Sequence, residues 1–184
     1  MTPGVASLSG RELRAVRSDR SAMTRVRTTC AFGRTAPHPR LRTDGARALG
    51  AALRTNSVVE ELDLASQGLG DGGISALVLA LGSAASPTAV RRLRLRDNGI
   101  GDQGAAALAE FMISSMTLVE IDIRDNLIGD MGARELAFAL SRSDSIQRFD
   151  FRGNRTGDDG SLAVTEALKL NPRLRKQPCV IEYE

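Results

Sequence analysis

Hydrophobic residues along this chain follow two patterns that succeed one another. Short runs with apolar residues at every second position are typical of strands with one buried face. After each run, apolar residues spaced at i, i+3, i+4 and i+7 predict a helix with one buried stripe. The sequence therefore predicts strands and helices in alternation. The four apolar runs centre on Leu62, Leu93, Ile121 and Phe149.

A glycine near the start of each predicted helix recurs at a nearly constant interval. The successive spacings are 28, 31, 28 and 28 residues, and the longer one reflects three extra residues within 82–89. A fixed period of this length predicts a solenoid, in which each unit contacts only its neighbours. The glycines are Gly45, Gly73, Gly104, Gly132 and Gly160.

The repeating strand and helix determine the expected architecture. Strand–helix–strand connections place parallel strands in one sheet with right-handed crossovers. Adjacent strands lie about 4.8 Å apart, whereas packed helices need about 8–10 Å, so the stack must curve. We predict an α/β solenoid in the form of a horseshoe arc. Parallel strands should line its concave face and helices its convex face, with about four full repeats and degenerate caps.

Charge divides the chain into an arm and a repeat domain. Residues 1–43 contain nine arginines and two acidic residues, a net charge of +7, which leaves −4 of the total of +3 for residues 44–184. We predict a basic arm over residues 1–42 and a repeat domain with a degenerate C-terminal cap over residues 43–184. Since the basic charge belongs to the arm, the repeats are not expected to bind nucleic acid.

The arm is open to three interpretations. It is rich in Arg, Ser and Thr and poor in acids, a composition shared by disordered basic tails and organellar transit peptides. A third possibility is a decayed or truncated earlier repeat. Ser9 and Glu12 also have the spacing of a capping box, which would begin a short helix over residues 10–17.

No apolar run is long enough to span a membrane, and residues 1–20 lack the apolar centre of a secretory signal. Cys30 and Cys179 fit neither a disulfide framework nor a metal-binding spacing. We therefore expect free thiols in a cytoplasmic protein, with organellar import through the arm as the alternative.

Two stretches, residues 93–105 and 121–133, closely resemble leucine-rich repeats of the ribonuclease-inhibitor type. That class also occurs in NOD-like receptors and in Ran GTPase-activating proteins, and the resemblance covers about residues 43–178. It implies that an asparagine after each strand hydrogen-bonds to neighbouring backbone and forms a ladder. Asn98, Asn126 and Asn154 match this position, whereas Gln67 departs from it.

The C-terminal unit departs further from the pattern. Thr156 replaces the apolar residue that other units have at this position, such as Ile128. Residues 174–179 look like a degenerate last strand, in which Pro178 suits only an edge. We therefore expect the C-terminal repeat to be less tightly packed than the others.

A Gly-Asp pair lies at the start of each of the last four predicted helices. Aspartate is a favoured N-cap, because its carboxylate accepts hydrogen bonds from the first free amides and suits the positive end of the helix dipole. We predict that four aspartates cap the helices they begin: Asp71, Asp102, Asp130 and Asp158.

Outward-facing strand positions should form three charged columns across the sheet. The first two mix opposite signs, so they fit either sheet-stabilising ion pairs or an open binding surface. The third repeats three arginines, which repel one another unless Asp97, Asp125 or a partner's carboxylate neutralises them, and we favour partner binding there. The columns are Glu61, Arg92, Glu120, Arg148; then Asp63, Arg94, Asp122, Asp150; then Ala65, Arg96, Arg124, Arg152.

These features favour a non-enzymatic scaffold that binds another protein through its concave sheet and the adjoining loops. The chain's one histidine, His38, stands between two prolines of the arm, so no serine or cysteine triad is expected around it. We expect no cofactor and no metal, and the sequence leaves the oligomeric state open. The alternatives are a GTPase-regulatory protein of the Ran-activator type and a fragment or altered copy of a longer receptor-like array.

Overall fold

The structure is a computed structural model that describes residues 40–54, 56–82 and 88–174, together with the backbone of four short strands nearer the N-terminus. The strands are β1 (Ser7–Leu8), β2 (Arg11–Glu12), β3 (Arg14–Arg17), β4 (Thr24–Arg27), β5 (Val59–Asp63), β6 (Arg92–Arg94), β7 (Glu120–Asp122) and β8 (Arg148–Asp150). The helices are α1 (Arg42–Leu53), α2 (Gly70–Leu81), α3 (Asp102–Ser114), α4 (Asp130–Arg142) and α5 (Asp158–Leu170).

Strands β5 to β8 pair in parallel and in register. Leu62 lies opposite Leu93, Leu93 opposite Ile121, and Ile121 opposite Phe149. All four side chains are buried, so they form one continuous apolar row beneath the sheet. The predicted α/β repeat fold is therefore confirmed, since the centres of the four apolar runs share one interior row.

The helices form a second layer, and each described helix packs against the next one along the chain. Their predicted stripes face the sheet, as shown by the buried Ile74 and Leu77 of α2 and Leu136 and Leu140 of α4. In α5, by contrast, Thr165 is only half-buried. The terminal helix therefore buries a weaker stripe than the central ones do.

Two strands of the predicted arm extend the sheet, whose strand order is β3-β4-β5-β6-β7-β8. Strand β4 pairs in parallel with β5 and places Arg25 opposite Glu61 and Arg27 opposite Asp63. The prediction of a helix over residues 10–17 is wrong, because β2 and β3 occupy most of that range. Whether the arm acts as a tail, a targeting segment or an altered repeat stays a prediction.

The C-terminal unit ends in an irregular segment. Thr156 is half-buried, and its hydroxyl lies 2.9 Å from that of Ser161, a polar contact where other units have an apolar one. Leu174 is buried at the end of the described chain. The predicted degenerate strand continues into residues 175–179, which lie outside the described residues, as do Cys30 and His38.

Candidate functional site

The turns after the strands are held by a ladder of asparagines. The side-chain oxygen of Asn126 accepts hydrogen bonds from the amides of Asn98 and Ile100 at 3.0 and 3.1 Å. Its amide group donates to the carbonyls of Leu95 and Ile123 at 3.1 and 2.9 Å. One buried side chain thus satisfies backbone groups of two neighbouring repeats.

The ladder weakens towards both ends. Asn98 makes equivalent hydrogen bonds to Gln67 and Leu64. The side-chain amide of Gln67 donates to the carbonyl of Ala65 within its own turn, at 3.1 Å. Asn154 is half-buried and accepts from a neighbouring amide at a longer 3.3 Å.

A second set of hydrogen bonds links the helices. Asp102 is the first residue of α3, and the position before it belongs to Gly101, whose extended backbone makes it the N-cap. The Asp102 carboxylate instead accepts hydrogen bonds from the amides of Gly129 and Gly132, at 2.8 and 3.0 Å, where α4 begins. Each such aspartate therefore caps the helix of the following repeat.

This geometry corrects the predicted capping. Asp71 bonds to the start of α3 and Asp130 to the start of α5 in the same way. The prediction that four aspartates are the N-caps of the helices they begin is wrong for Asp71, Asp102, Asp130 and Asp158, because the N-cap positions belong to Leu69, Gly101, Gly129 and Gly157. No described helix follows Asp158, which is exposed.

The first charged column of the concave face is tied into ion pairs. Glu61 is fully buried and pairs with the guanidinium of Arg94. Glu120 lies between two arginines, with its carboxylate 3.6 Å from Arg92 and 3.3 Å from Arg148. Desolvation by burial lowers the pKa of Arg94, but the hydrogen bond and charge of Glu61 outweigh it and raise that pKa.

The second column contains a buried carboxylate. Asp122 is 8% exposed and receives two side-chain hydrogen bonds from Arg124, at 2.9 and 2.7 Å. Burial by itself would raise the pKa of Asp122, but the hydrogen bonds from the side chain and backbone of Arg124 hold it below its ordinary value. The same contact raises the pKa of Arg124. This pair is fixed in position on the sheet.

The three arginines of the third column also have carboxylate partners. Arg96 pairs with Asp125 at 2.6 Å, and Arg152 makes two hydrogen bonds to Asp150 at 3.0 and 2.8 Å. Arg124 bridges Asp122 and Asp150, with the second contact at 3.3 Å. The sequence left open whether Asp97, Asp125 or a partner's carboxylate neutralises this column. Carboxylates of the same face do so, and they include Asp125.

The concave face is thus a mosaic of both signs. Its most exposed charged groups include Arg96 and Arg148, with just over half of each side chain accessible. Fixed charges of both signs favour recognition through a matching arrangement of polar groups over general attraction of one charge. The sequence indicated Asp125 only as a possible partner for the arginines. The structure shows that it reaches back to Arg96, which follows the preceding strand.

The described part of the chain contains no helix long and apolar enough to cross a membrane. A family described as Leucine Rich repeat matches residues 55–78, 87–109 and 114–137. No curated protein matches the chain.

Solved structures of similar fold include a leiomodin domain and a tropomodulin domain. Leiomodin-1 actin-binding site 2 is 16% identical with a TM-score of 0.60, covering 71% of this chain and 75% of its own. A tropomodulin C-terminal domain from Caenorhabditis elegans is 18% identical with a TM-score of 0.58, covering 72% of this chain and 78% of its own. These likenesses concern the fold.

Proposed function

Because the chain is built of leucine-rich repeats, we propose that it is a non-enzymatic scaffold that binds another protein through its concave sheet and the adjoining loops. The observation that carries this proposal is the charged face of β5 to β8. Parallel sheets normally have both faces covered by apolar packing, whereas here the apolar row and the buried helix stripes lie on one side and charged side chains occupy the other. The other face presents ordered charged groups to a partner.

The partner should carry polar groups of both signs. Arg96 and Arg148 can each donate to a partner's carboxylate while keeping their own acidic neighbours. Asp63 and Asp150, each about one quarter exposed, can accept from a partner's basic groups. The proposal does not depend on the oligomeric state of the protein. We expect the protein to act in the cytoplasm.

Actin is one candidate partner to test, because leiomodin-1 actin-binding site 2 has a similar fold. A similarity at 16% identity shows a shared fold and nothing about binding. Actin is therefore only a candidate to be tested, and the general proposal does not depend on it. Neither the family match nor the two similar structures point to a GTPase activator, and we do not propose that activity.

The variant that tests the concave face has to spare its buried pairs. Reversing Arg124 or Arg152 to Glu would set a new carboxylate against Asp122 or Asp150 and would disturb folding. We therefore choose the double variant Arg96→Gln and Arg148→Gln. The matched control, Arg47→Gln and Arg134→Gln, removes the same charge from exposed positions of the helix layer.

The measurement is quantitative affinity capture from native cells, with co-sedimentation on actin filaments run alongside. We expect the wild type and the helix-layer control to capture the same proteins, and the concave variant to lose them. If the concave variant captured the same proteins in equal amounts, the proposed surface would be wrong. A captured set without actin would exclude only the actin candidate.

A further inference from the structure

A groove of about 490 Å³ lies along the edge of the molecule where helices end and strands begin. It crosses three repeats, running past the loops after α3 and α4 to the segment after α5. The charged residues that line it in the described part of the chain are Arg91, Arg142, Arg173 and Asp144. This edge groove is separate from the charged columns of the concave face.

The wall of the edge groove is built from hydroxyl groups that join neighbouring loops. Thr117 donates a hydrogen bond to the carbonyl of Thr88 at 3.1 Å. Ser145 donates to the carbonyl of Ser115 at 2.9 Å, and Ser115 in turn accepts from the amide of Leu118. The contacts of Thr117 and Ser145 cross from repeat to repeat, so the groove is ordered before any ligand arrives.

The arginines of the edge groove differ from those of the concave face in their lack of carboxylate partners. Among the described residues, Arg91, Arg142 and Arg173 form no ion pair, and all three are exposed. The guanidinium of Arg142 lies over the ring of Phe138 at 5.3 Å from its centre, which orients it. Among the described residues that line the groove, Asp144 is the one that is acidic. These described residues therefore carry a net positive charge.

Apolar groups lie beside these arginines. The side chain of Met116 is 93% exposed, and Ile113 at the end of α3 is also exposed. A methionine adapts its shape to irregular apolar ligands. The groove therefore offers an adaptable apolar contact next to unneutralised guanidinium groups.

We propose that the edge groove binds an acidic peptide segment of a protein partner, with carboxylates on the arginines and a bulky aliphatic side chain against Met116. Guanidinium groups recognise carboxylates through paired hydrogen bonds, and arginine clusters bind acidic motifs in this way. The ordered loops reduce the entropy lost on binding. This second site goes beyond the proposed role of the concave face and does not depend on it.

The test uses a fluorescein-labelled ten-residue peptide of alternating glutamate and leucine, with binding followed by fluorescence polarisation. The groove variant combines Arg91→Glu and Arg173→Glu. The matched control combines Arg47→Glu and Arg155→Glu, which makes the same change in net charge at exposed positions away from the groove. A control peptide carries glutamine in place of glutamate.

We expect the groove variant to bind the peptide at least about tenfold more weakly, and the charge-matched control to stay within about twofold of the wild type. The concave variant, Arg96→Gln and Arg148→Gln, should bind it like the wild type. Met116→Gln, a change at an exposed side chain that leaves the loop contacts in place, should weaken binding about threefold or more.

Four results would overturn the proposal. These are no binding by the wild type, equal binding of the glutamine peptide, equal loss in the groove variant and its charge-matched control, or loss in the concave variant. If circular dichroism showed the groove variant to be unfolded, the test would rest on Met116→Gln. Unchanged peptide binding by Met116→Gln would then reject the site. Failure here leaves the concave-face proposal standing, because the two use different surfaces and different variants.

Discussion

The carboxylate of Asp102 lies 2.8 Å from the amide nitrogen of Gly129, at the point where the next repeat begins its helix. The same oxygen also accepts from the amide of Gly132. A helix start leaves several amides without intrahelical partners, and here the preceding repeat supplies the acceptor. Helices are therefore coupled from repeat to repeat, in addition to the strands.

Replacing Asp102 should weaken this coupling. We expect Asp102→Ala to lower the free energy of unfolding by about 0.5–2 kcal/mol, the usual loss for a removed helix cap. Asp158→Ala is the matched control, because Asp158 begins α5 but caps no described helix. Urea unfolding followed by circular dichroism measures both. Equal losses would show that the contact across the repeats contributes nothing.

Glycine 132 is required by close approach of the preceding repeat. A Cβ placed on Gly132 would lie 2.7 Å from the Asp102 carboxylate and 2.9 Å from the Cβ of Ala105. We expect Gly132→Ala to cost about 1–3 kcal/mol of stability through overpacking. Thermal unfolding followed by circular dichroism is the measurement.

Gly72→Ala is the matched control for that change. Its new methyl would meet Thr43 at an ordinary 3.4 Å. A helical alanine in place of glycine should be neutral or should stabilise the protein by up to about 1 kcal/mol. A stability of Gly132→Ala equal to that of Gly72→Ala would contradict the packing described for the helix layer.

The asparagine ladder should be strongest in the middle of the sheet. Asn126→Ala would leave the buried amides of Asn98 and Ile100 without this acceptor, so we expect a loss of at least about 2 kcal/mol. Asn154→Ala should cost less, because Asn154 is half-buried and water can replace its contacts. Chemical unfolding of both variants tests this order, and the reverse order would refute it.

Acid should weaken the protein partly through Asp122. Because its pKa is lowered in the folded state, Asp122 contributes stability above its unfolded pKa of about 4, and loses it as the pH falls through the folded pKa. We therefore expect Asp122→Asn to be less stable than the wild type at pH 7, with the difference shrinking in acid. Urea unfolding across the pH range measures it, with Asp144→Asn as a control on exposed charge. A difference independent of pH would contradict this account.

Much of the fold follows from hydrophobic periodicity. The row from Leu62 to Phe149 could be predicted because a two-residue period fixes which face of each strand is buried, and a repeat period fixes which strands are neighbours. The asparagine positions came from the family resemblance. The buried row depends on spacing alone, which is visible in a sequence, whereas the asparagine ladder was implied by the resemblance.

The side-chain contacts between repeats could not be predicted in the same way. An aspartate such as Asp102 would recur at the start of each helix whether it capped its own helix or the next one. The repeat pattern therefore does not show which helix it caps. Pairing of Arg124 with Asp122 and Asp150 depends on side-chain reach. The edge groove gave no signal, because Arg91 and Arg173 occupy different positions within their repeats.

The two kinds of hydrogen bond cross each junction in opposite directions. Asp102 serves the helix that follows it, whereas Asn126 serves the turn that precedes it. Truncation from the N-terminal side would thus leave unbonded amides at a helix start, and truncation from the C-terminal side would leave them in a turn. A shortened version of this protein needs a different replacement at each end: a carboxylate for the first helix and an amide side chain for the last turn.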